Sequence, residues 1–344
     1  MTTGYITHES YKDHQLPGYN HPESNKRILA VWKELRHSKL IDKLTPIAPI
    51  EASRNMLRAV HTERLVSQLE QMERLNRPTF IDQDTYAMPQ SFKIARLAAG
   101  GTVRAVEAVV KGEVDNALAT VRPPGHHATP DNSMGFCIYA NVAIAARYAN
   151  QVLGLERVMV VDYDVHHGNG TQDVFYNDPK VLFLSTHQSP FYPMTGGINE
   201  IGEGAGKGTT INIPFPNYVG NDGFKLAYEK VVWKAACRYQ PQLIIVSAGF
   251  DAHWVDPLAQ LRLTLPGYAH ITRELILMAQ QLCGGKIVFV MEGGYDLTAL
   301  SHGMRNVVHA LLGEDDISDP LGKADGDERD VMALIDKVVA IHGL

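Results

Sequence analysis

The stretch RVMVVDYDVHHGNGTQ, residues 157–172, carries the pattern that decides the fold. It opens with the apolar run Arg157–Val161, which is typical of a strand buried inside a parallel sheet. The polar segment DYDVHHGNG, residues 162–170, follows at once. Four other short runs rich in Val, Ile and Leu predict further strands of the same kind: Asn116–Val121, Val181–Ser185, Gln242–Ser247 and Lys286–Met291.

Helical patterns lie between these runs. They cover residues Ser91–Val110, Asn141–Leu153, Gly223–Arg238 and Gly267–Leu282. Strands that alternate with helices of this length indicate an α/β fold with one doubly wound parallel sheet. No linker or repeat interrupts the series, so we predict a single domain over residues 1–344.

Two segments are predicted to be loops. The Gly-rich segment Phe191–Gly208 lacks the Lys-Ser/Thr ending of a phosphate-binding loop, and we expect it to be a surface loop. The acidic tail from Gly313 reads as a solvated loop before a last helix.

Composition excludes several classes of protein. The chain has 344 residues, 45% hydrophobic and 20% charged, which suits a globular protein with a sizeable core. Its net charge of -6 offers no basic field for a nucleic acid, and we predict no nucleic-acid partner. The three cysteines form no disulfide framework, and no apolar stretch is long enough to span a membrane. We therefore expect a cytoplasmic protein without a membrane partner.

The predicted strands end in residues that bind metals or transfer protons. The endings are RPPGHH (122–127), DYDVHHGNG (162–170), AGFDAH (248–253) and EGGY (292–295). Open parallel sheets bind ligands in the crevice beyond the carboxyl ends of their strands. The four endings are therefore predicted to converge there.

Carboxylates and a histidine among these endings suggest a metal site. Alternation along an extended segment would place Asp162, Asp164 and His166 on one side, and Asp251 would come from a neighbouring strand. Two aspartates and one neutral imidazole balance a divalent charge and leave a coordination position open, as in a catalytic zinc site. Taken singly, such an ending is more often an ordinary polar turn, and it is their repetition that favours a site.

Histidines and a tyrosine could serve acid–base chemistry beside such a metal. His126 and His127 follow a turn of two prolines and a glycine, and together they could supply a general base and a general acid. Tyr295 follows Gly293 and Gly294, where the backbone can approach a ligand closely. Its phenol could donate a hydrogen bond to a developing oxyanion.

Six sequence blocks together resemble one known family. RPPGHHA, DYDVHHGNGTQ, LSTH, SAGFDAH, DPLAQLRLT and EGGYDL stand in the order and spacing of the zinc-dependent histone deacetylases. That family includes acetylpolyamine amidohydrolases and other bacterial deacetylase-like hydrolases. The resemblance runs from residue 21 to about residue 313. It implies the arginase/deacetylase-like fold, with a central parallel sheet of about eight strands between helices.

The resemblance also implies roles for individual residues. Three residues match the family's zinc ligands, namely Asp164, His166 and Asp251. His127 resembles the general base and acid, and His126 is its neighbour, paired with Asp162. Tyr295 resembles the residue that polarises the amide carbonyl. Asn169 stands where some branches have an aspartate, so we expect a less basic His127. The form HHGNGTQ is typical of the class II branch.

Further matches concern the substrate channel and monovalent ions. Residues that match the channel wall or its rim are Gly135, Phe136, Tyr192, Leu258 and Asp84. The family also carries potassium beside the zinc, and the matching residues are Asp162, Asp164, His166, Ser185 and Thr186. A second monovalent-ion site would correspond to Phe175, Asp178 and Val181.

Three functions are compatible with this resemblance. The first is deacylation of acyl-lysine in proteins or peptides, and the second is hydrolysis of acetylated polyamines. Polyamine-selective relatives carry an acidic residue at the channel mouth, whereas this chain has Leu258 there. The third is an inactive binding module, which the presence of Tyr295 disfavours. Hydroxamate-type inhibitors are expected to bind. The sequence leaves the physiological substrate and the oligomeric state open.

Overall fold

A computed structural model describes residues 1–344 of the chain. Its ten strands, numbered in chain order, are β1 Thr3–Ile6, β2 Thr45–Ile47, β3 Thr79–Phe80, β4 Tyr86–Ala87, β5 Asn116–Ala119, β6 Val158–Asp162, β7 Val181–Gln188, β8 Thr210–Phe215, β9 Leu243–Ala248 and β10 Ile287–Met291. Eight of them form one sheet in the order β2-β1-β5-β10-β9-β6-β7-β8, and every neighbouring pair is parallel. Strands β3 and β4 make a small antiparallel hairpin.

Helices cover the sheet. They are α1 Asn25–His37, α2 Arg54–Arg58, α3 Glu63–Arg74, α4 Ser91–Val110, α5 Asn141–Gln151, α6 Asn169–Phe175, α7 Asn221–Ala227, α8 Trp233–Tyr239, α9 Leu265–Cys283, α10 Leu297–Leu311 and α11 Met332–His342. Helix α4 packs against α5, and α10 packs against both α1 and α9. No helix is both long and apolar enough to cross a membrane.

Burial on both sides explains why the central strands are mostly apolar. All residues of β5, β6, β9 and β10 are buried, as strands covered by helices on both faces require. These four strands are adjacent in the order β5-β10-β9-β6. Because they are parallel, their carboxyl ends lie side by side at one edge of the sheet.

The predicted fold class is confirmed, with differences in detail. All five predicted strands are present. Three further sheet strands, β1, β2 and β8, are only three to six residues long and gave no clear periodic signal. The helix predicted over Gly223–Arg238 is present: residues 221–239 are helical without a break, and a π-helical turn at Tyr228–Val232 joins α7 to α8.

Candidate active site

The carboxyl ends of β6 and β9 bring three metal-binding side chains together. Ligand atoms of Asp164, His166 and Asp251 lie within 4.8 Å of one another, and all three residues are buried. His166 Nδ1 lies 3.1 Å from Asp164 Oδ1 and 3.2 Å from Asp251 Oδ2. Ligands at zinc distances of about 2.0–2.1 Å in a tetrahedron stand roughly 3.3 Å apart. Asp251 Oδ2 is buried and has no hydrogen bond, so these residues fit a divalent ion.

A bend in the chain, rather than strand alternation, gathers these residues. Strand β6 ends at Asp162, and residues 164–166 form a bend, so the expected extended segment was wrong. Backbone N–H groups fix the carboxylates: Val165 N donates to Asp251 Oδ1 at 2.9 Å, and Gly293 N donates to Asp164 Oδ2 at 2.8 Å. Loops after three strands are thereby joined through the two carboxylates.

The two histidines of the RPPGHH segment stand beside this cluster with different partners. Their ring centroids are 4.0 Å apart. His126 Nδ1 donates to Asp162 Oδ2 at 3.1 Å, and His127 Nδ1 donates to Asn169 Oδ1 at 2.8 Å. Burial opposes protonation of His126, yet the carboxylates of Asp164 and Asp162 raise its pKa to about 10. Burial and the nearby His126 hold the pKa of His127 well below its usual range. Their surroundings therefore favour the protonated form of His126 and the neutral form of His127.

The position of Tyr295 is fixed through its backbone. Tyr295 N donates to Asp256 Oδ2 at 2.7 Å, and Arg27 Nε donates to the carbonyl of Gly294 at 2.7 Å. The Arg27 guanidinium lies 5.1 Å from the centre of the Tyr295 ring. Burial raises the pKa of Tyr295 well above its usual value, so the phenol keeps its proton and is a hydrogen-bond donor.

Aromatic rings border the approach to the cluster. The rings of Phe136 and Tyr295 are 5.9 Å apart, and those of His127 and Tyr192 are 5.1 Å apart. A Cβ added at Gly135 would lie 2.5 Å from the His127 ring and 2.9 Å from Tyr192 Oη. Glycine at this position therefore leaves room between the two rings.

The loop that carries Tyr192 lies at the surface, as predicted, but it is anchored at Gly196, which is buried. His187 Nε2 donates to the carbonyl of Gly196 at 3.0 Å, and Thr195 Oγ1 lies 2.7 Å from Nδ1 of His167. The Glu200 carboxylate accepts the backbone N–H groups of Gly196 and Gly197 at 3.2 and 2.7 Å.

The remaining channel and rim residues lie at the surface end. Asp84 is half-buried in the turn between β3 and β4, and its carbonyl accepts from His21 Nε2 at 2.9 Å. Leu258 is partly exposed, and its N–H donates to Asp256 Oδ1 at 3.0 Å. Asp256 thus holds both Leu258 and Tyr295.

Residues matched to the inner monovalent-ion site lie behind the cluster. Asp162 pairs in register with Ser185 of β7, and Thr186 follows in the same strand. Thr186 Oγ1 is buried and has no hydrogen-bond partner. Residues matched to the outer site, namely Phe175, Asp178 and Val181, lie together between α6 and β7, where Asp178 N donates to the Phe175 carbonyl at 3.0 Å.

A buried ion cluster near the site was not predicted from the sequence. Arg122 Nε lies 2.6 Å from Glu23 Oε1, and Arg27 Nη1 lies 3.2 Å from the same oxygen. All three side chains are fully buried. Glu23 precedes α1 and Arg27 lies in its first turn, four residues further on, a spacing usually seen on exposed helix faces, so nothing in the local sequence indicated their burial.

Glycines in the loops at this edge are crowded by the site residues. A Cβ added at Gly168 would clash with Asp162, one at Gly249 with Asp164, and one at Gly293 with both Asp251 and Asp164. No larger residue fits these positions without moving a carboxylate.

Comparison with known proteins shows the family to which this chain belongs. The model for the histone deacetylase domain matches residues 21–311, and the chain belongs to the histone deacetylase family. It is 40% identical over 344 residues to histone deacetylase 10, chloroplastic, of Oryza sativa subsp. japonica, covering 94% of this chain and 78% of that protein. It is also 40% identical over 318 residues to a probable deacetylase of Archaeoglobus fulgidus, covering 92% of this chain and 88% of that one.

A solved structure supports the same assignment. The crystal structure of the HDA15 HD domain superimposes with a TM-score of 0.90 and 34% sequence identity, covering 99% of this chain and 94% of that chain. The family resemblance and the arginase/deacetylase-like fold expected from the sequence are therefore confirmed. Family membership indicates a hydrolytic deacetylase.

Proposed function

We propose that the protein is a zinc-dependent amidohydrolase that removes acyl groups from acyl-lysine side chains. The observation that carries the proposal is the meeting of a buried Asp-His-Asp cluster, a histidine pair and a tyrosine phenol at one sheet edge. Asp164, His166 and Asp251 would hold the zinc. When bound, the zinc supplies a Lewis acid that polarises the acyl carbonyl and lowers the pKa of a water molecule.

The histidine pair would move the protons. His127 is the neutral ring, because burial and the nearby His126 hold its pKa low, and a neutral imidazole accepts a proton from the attacking water. Because Nδ1 of His127 is hydrogen-bonded to Asn169, Nε2 would accept this proton and then deliver it to the departing amine. His126 stays charged through Asp162 and provides positive potential beside the reaction. Asn169 orients the His127 ring without adding a charge.

Tyr295 would stabilise the oxygen of the acyl group. Its phenol keeps its proton, and a hydrogen bond to the carbonyl oxygen strengthens as that oxygen gains negative charge. The backbone contacts of Asp256 and Arg27 hold the residue in place for this role.

The aromatic channel supports an extended alkyl amine as substrate. Phe136 and Tyr192, with Gly135 between the channel and His127, form walls that suit the methylene chain of an acyl-lysine. Asp84 at the rim would bind the substrate backbone. Hydroxamates, which carry a metal-binding group on a similar chain, are expected to bind in the same channel.

We further propose potassium as a structural ion behind the zinc. Oxygen atoms of Asp162, Asp164, His166, Ser185 and Thr186 would bind it, and the orphaned, buried Thr186 hydroxyl supports this site. The residues Phe175, Asp178 and Val181 are the candidate outer site. A dependence of thermal stability on K⁺ rather than Na⁺ would test both sites.

Hydrolysis of acetylated polyamines is the second candidate. One observation favours it: Asp82 and Asp84 lie in the turn between β3 and β4, where Asp82 Oδ1 accepts the N–H groups of Asp84 and Thr85, and the two carboxylates could attract a cationic substrate. The uncharged Leu258 at the channel mouth favours acyl-lysine instead.

A substrate panel would separate the two candidates. We would compare kcat/KM for acetyl-, longer-acyl and trifluoroacetyl-lysine peptides with kcat/KM for acetylputrescine and acetylspermidine. The proposal expects a clear preference for the peptides. In Leu258→Glu, a carboxylate at the mouth should raise the relative rate on acetylspermidine. A parent enzyme that already prefers the polyamines would exclude acyl-lysine as its main substrate.

A further inference from the structure

The segment that carries the histidine pair has little regular structure of its own. Residues 122–128 belong to no helix or strand, although all of them are buried. Pro123 and Pro124 have no backbone N–H to donate. Gly125 and His126 therefore provide the backbone donors of the stretch that leads into the pair.

Both of these donors bind one carboxylate oxygen. Gly125 N donates to Glu292 Oε2 at 2.7 Å, and His126 N donates to the same atom at 3.3 Å. Glu292 is completely buried, and its other oxygen, Oε1, has no hydrogen-bond partner. The Glu292 carboxylate therefore accepts hydrogen bonds only from the segment that carries the histidine pair.

Glu292 is itself held firmly at the end of β10. Its N–H donates to the carbonyl of Ala248 at 3.1 Å, and its carbonyl accepts from the Arg27 guanidinium. Three residues further on, the same loop presents Tyr295. Residues 292–295 therefore carry both Tyr295 and the Glu292 side chain, which is hydrogen-bonded to the backbone of the segment that carries His126 and His127.

We propose that Glu292 is a positioning residue that sets where the His126–His127 pair stands relative to Tyr295 and the metal ligands. It acts through the backbone of Gly125 and His126 and does not touch the substrate. This inference rests on the proposed function, because it concerns the placing of the acid–base pair in that reaction. The reach of the side chain, not its charge, is what the geometry requires.

Two variants separate reach from charge. Glu292→Gln keeps the length and one acceptor oxygen, whereas Glu292→Asp keeps the charge and shortens the side chain by one methylene. We expect Glu292→Gln to stay within about threefold of the parent in kcat, and Glu292→Asp to lose about tenfold or more, since small misplacements of catalytic groups are costly. Glu292→Ala should lose ~10²-fold in kcat with a much smaller change in KM.

A control distinguishes positioning from a general loss of stability. Asn116→Ala removes a buried side-chain hydrogen bond, from Asn116 Nδ2 to the carbonyl of Leu311, at the opposite edge of the sheet. It should lower Tm but leave kcat per folded molecule unchanged. Zinc content and Tm would be measured for every variant, so that kcat is compared only among folded, zinc-loaded proteins.

The outcomes are distinct. A Glu292→Asp enzyme with parental kcat would overturn the inference, and so would a Glu292→Gln enzyme as impaired as Glu292→Ala, since charge would then be the essential property. A parent that does not hydrolyse acyl-lysine at all would instead refute the proposed function.

Discussion

At the scale of single residues, Asp251 tests the metal site most directly. It supplies a ligand atom that is buried and has no hydrogen bond, so in Asp251→Ala the site keeps only two of its three ligands. We expect the purified variant to contain little zinc and to have lost activity while remaining folded. Metal analysis and circular dichroism would check this, with Asp173→Ala, an exposed aspartate on α6, as the control. Full zinc content in Asp251→Ala would show that the ligands are misassigned.

Tyr295 tests the mechanism. Tyr295→Phe removes only the hydroxyl, and loss of one oxyanion donor typically lowers kcat by ~10²–10³-fold. KM and hydroxamate affinity should change far less, because the bond matters most in the transition state. Steady-state kinetics on an acetyl-lysine peptide would measure the effect. Turnover within about threefold of the parent would mean that the phenol is not needed.

The metal-binding and acid–base residues at the strand ends could be predicted from the sequence, but the buried charged residues that pack behind them could not. Metal-binding and acid–base residues stand out in sequence because they follow apolar runs directly. Glu23, Arg27 and Arg122 do not stand out, since nothing local tells a buried charged residue from an exposed one. Their burial depends on contacts between segments about 100 residues apart, such as Arg122 with Glu23.

At the scale of elements, the loop after β7 is the most informative. It is the surface loop that its glycines predicted, but one of them, Gly196, is buried and packs on two buried histidines. A Cβ added at Gly196 would come too close to the rings of both His187 and His167. The packing partners, His167 and His187, lie in segments whose spatial relation the sequence does not reveal. Strands β1, β2 and β8 escaped prediction because Gly, Pro or Asn interrupts their few apolar residues, so none shows a continuous run of Val, Ile and Leu.

Glu200 gives a test of what this loop does. Its carboxylate accepts two backbone N–H groups of the loop and also Nε2 of Gln172 at 2.6 Å. Glu200→Ala should loosen the loop that carries Tyr192 and raise KM by about tenfold with little change in kcat, since the channel wall binds ground state and transition state alike. Glu203→Ala, an exposed glutamate of the same loop, is the matched control. A fall in kcat with unchanged KM would contradict this role.

At the scale of the whole molecule, one carboxylate joins the N-terminal segment to the centre of the sheet. Glu23 binds Arg122 from the end of β5 and Arg27 from α1. Breaking a buried ion pair on one side typically costs ~3–5 kcal/mol, so Glu23→Gln should lower the free energy of unfolding by about that amount. Urea denaturation at pH 7 would measure it. A loss of unfolding free energy below about 1 kcal/mol would mean that the buried cluster stabilises the protein no more than an exposed ion pair does.

The same residue gives a pH dependence. Burial works against ionisation, but Arg122, His14 and Arg27 lower the pKa of Glu23 to about 2, below its ordinary value of 4.5. Its contribution to stability is therefore complete above pH 4.5 and is lost as the pH falls towards 2. The parent should lose more stability over that interval than Glu23→Gln. If the parent and Glu23→Gln lost stability in parallel as the pH fell, the prediction would be wrong, and another carboxylate would govern acid denaturation.

The crowded glycines at the carboxyl edge of the sheet have a counterpart at the amino edge. Gly112, Gly154 and Gly285 lie in the turns that lead into β5, β6 and β10, and a Cβ added at any of them would meet no atom within 4 Å. Inserted residues should therefore be tolerated in the turns at the amino edge of the sheet but not in the loops at its carboxyl edge. A short epitope tag or a fluorophore-labelled cysteine placed after Gly154 should leave turnover intact, whereas the same insertion after Gly249 should abolish it. The amino-edge turns thus offer handles for immobilising or tracking the protein without disturbing its chemistry.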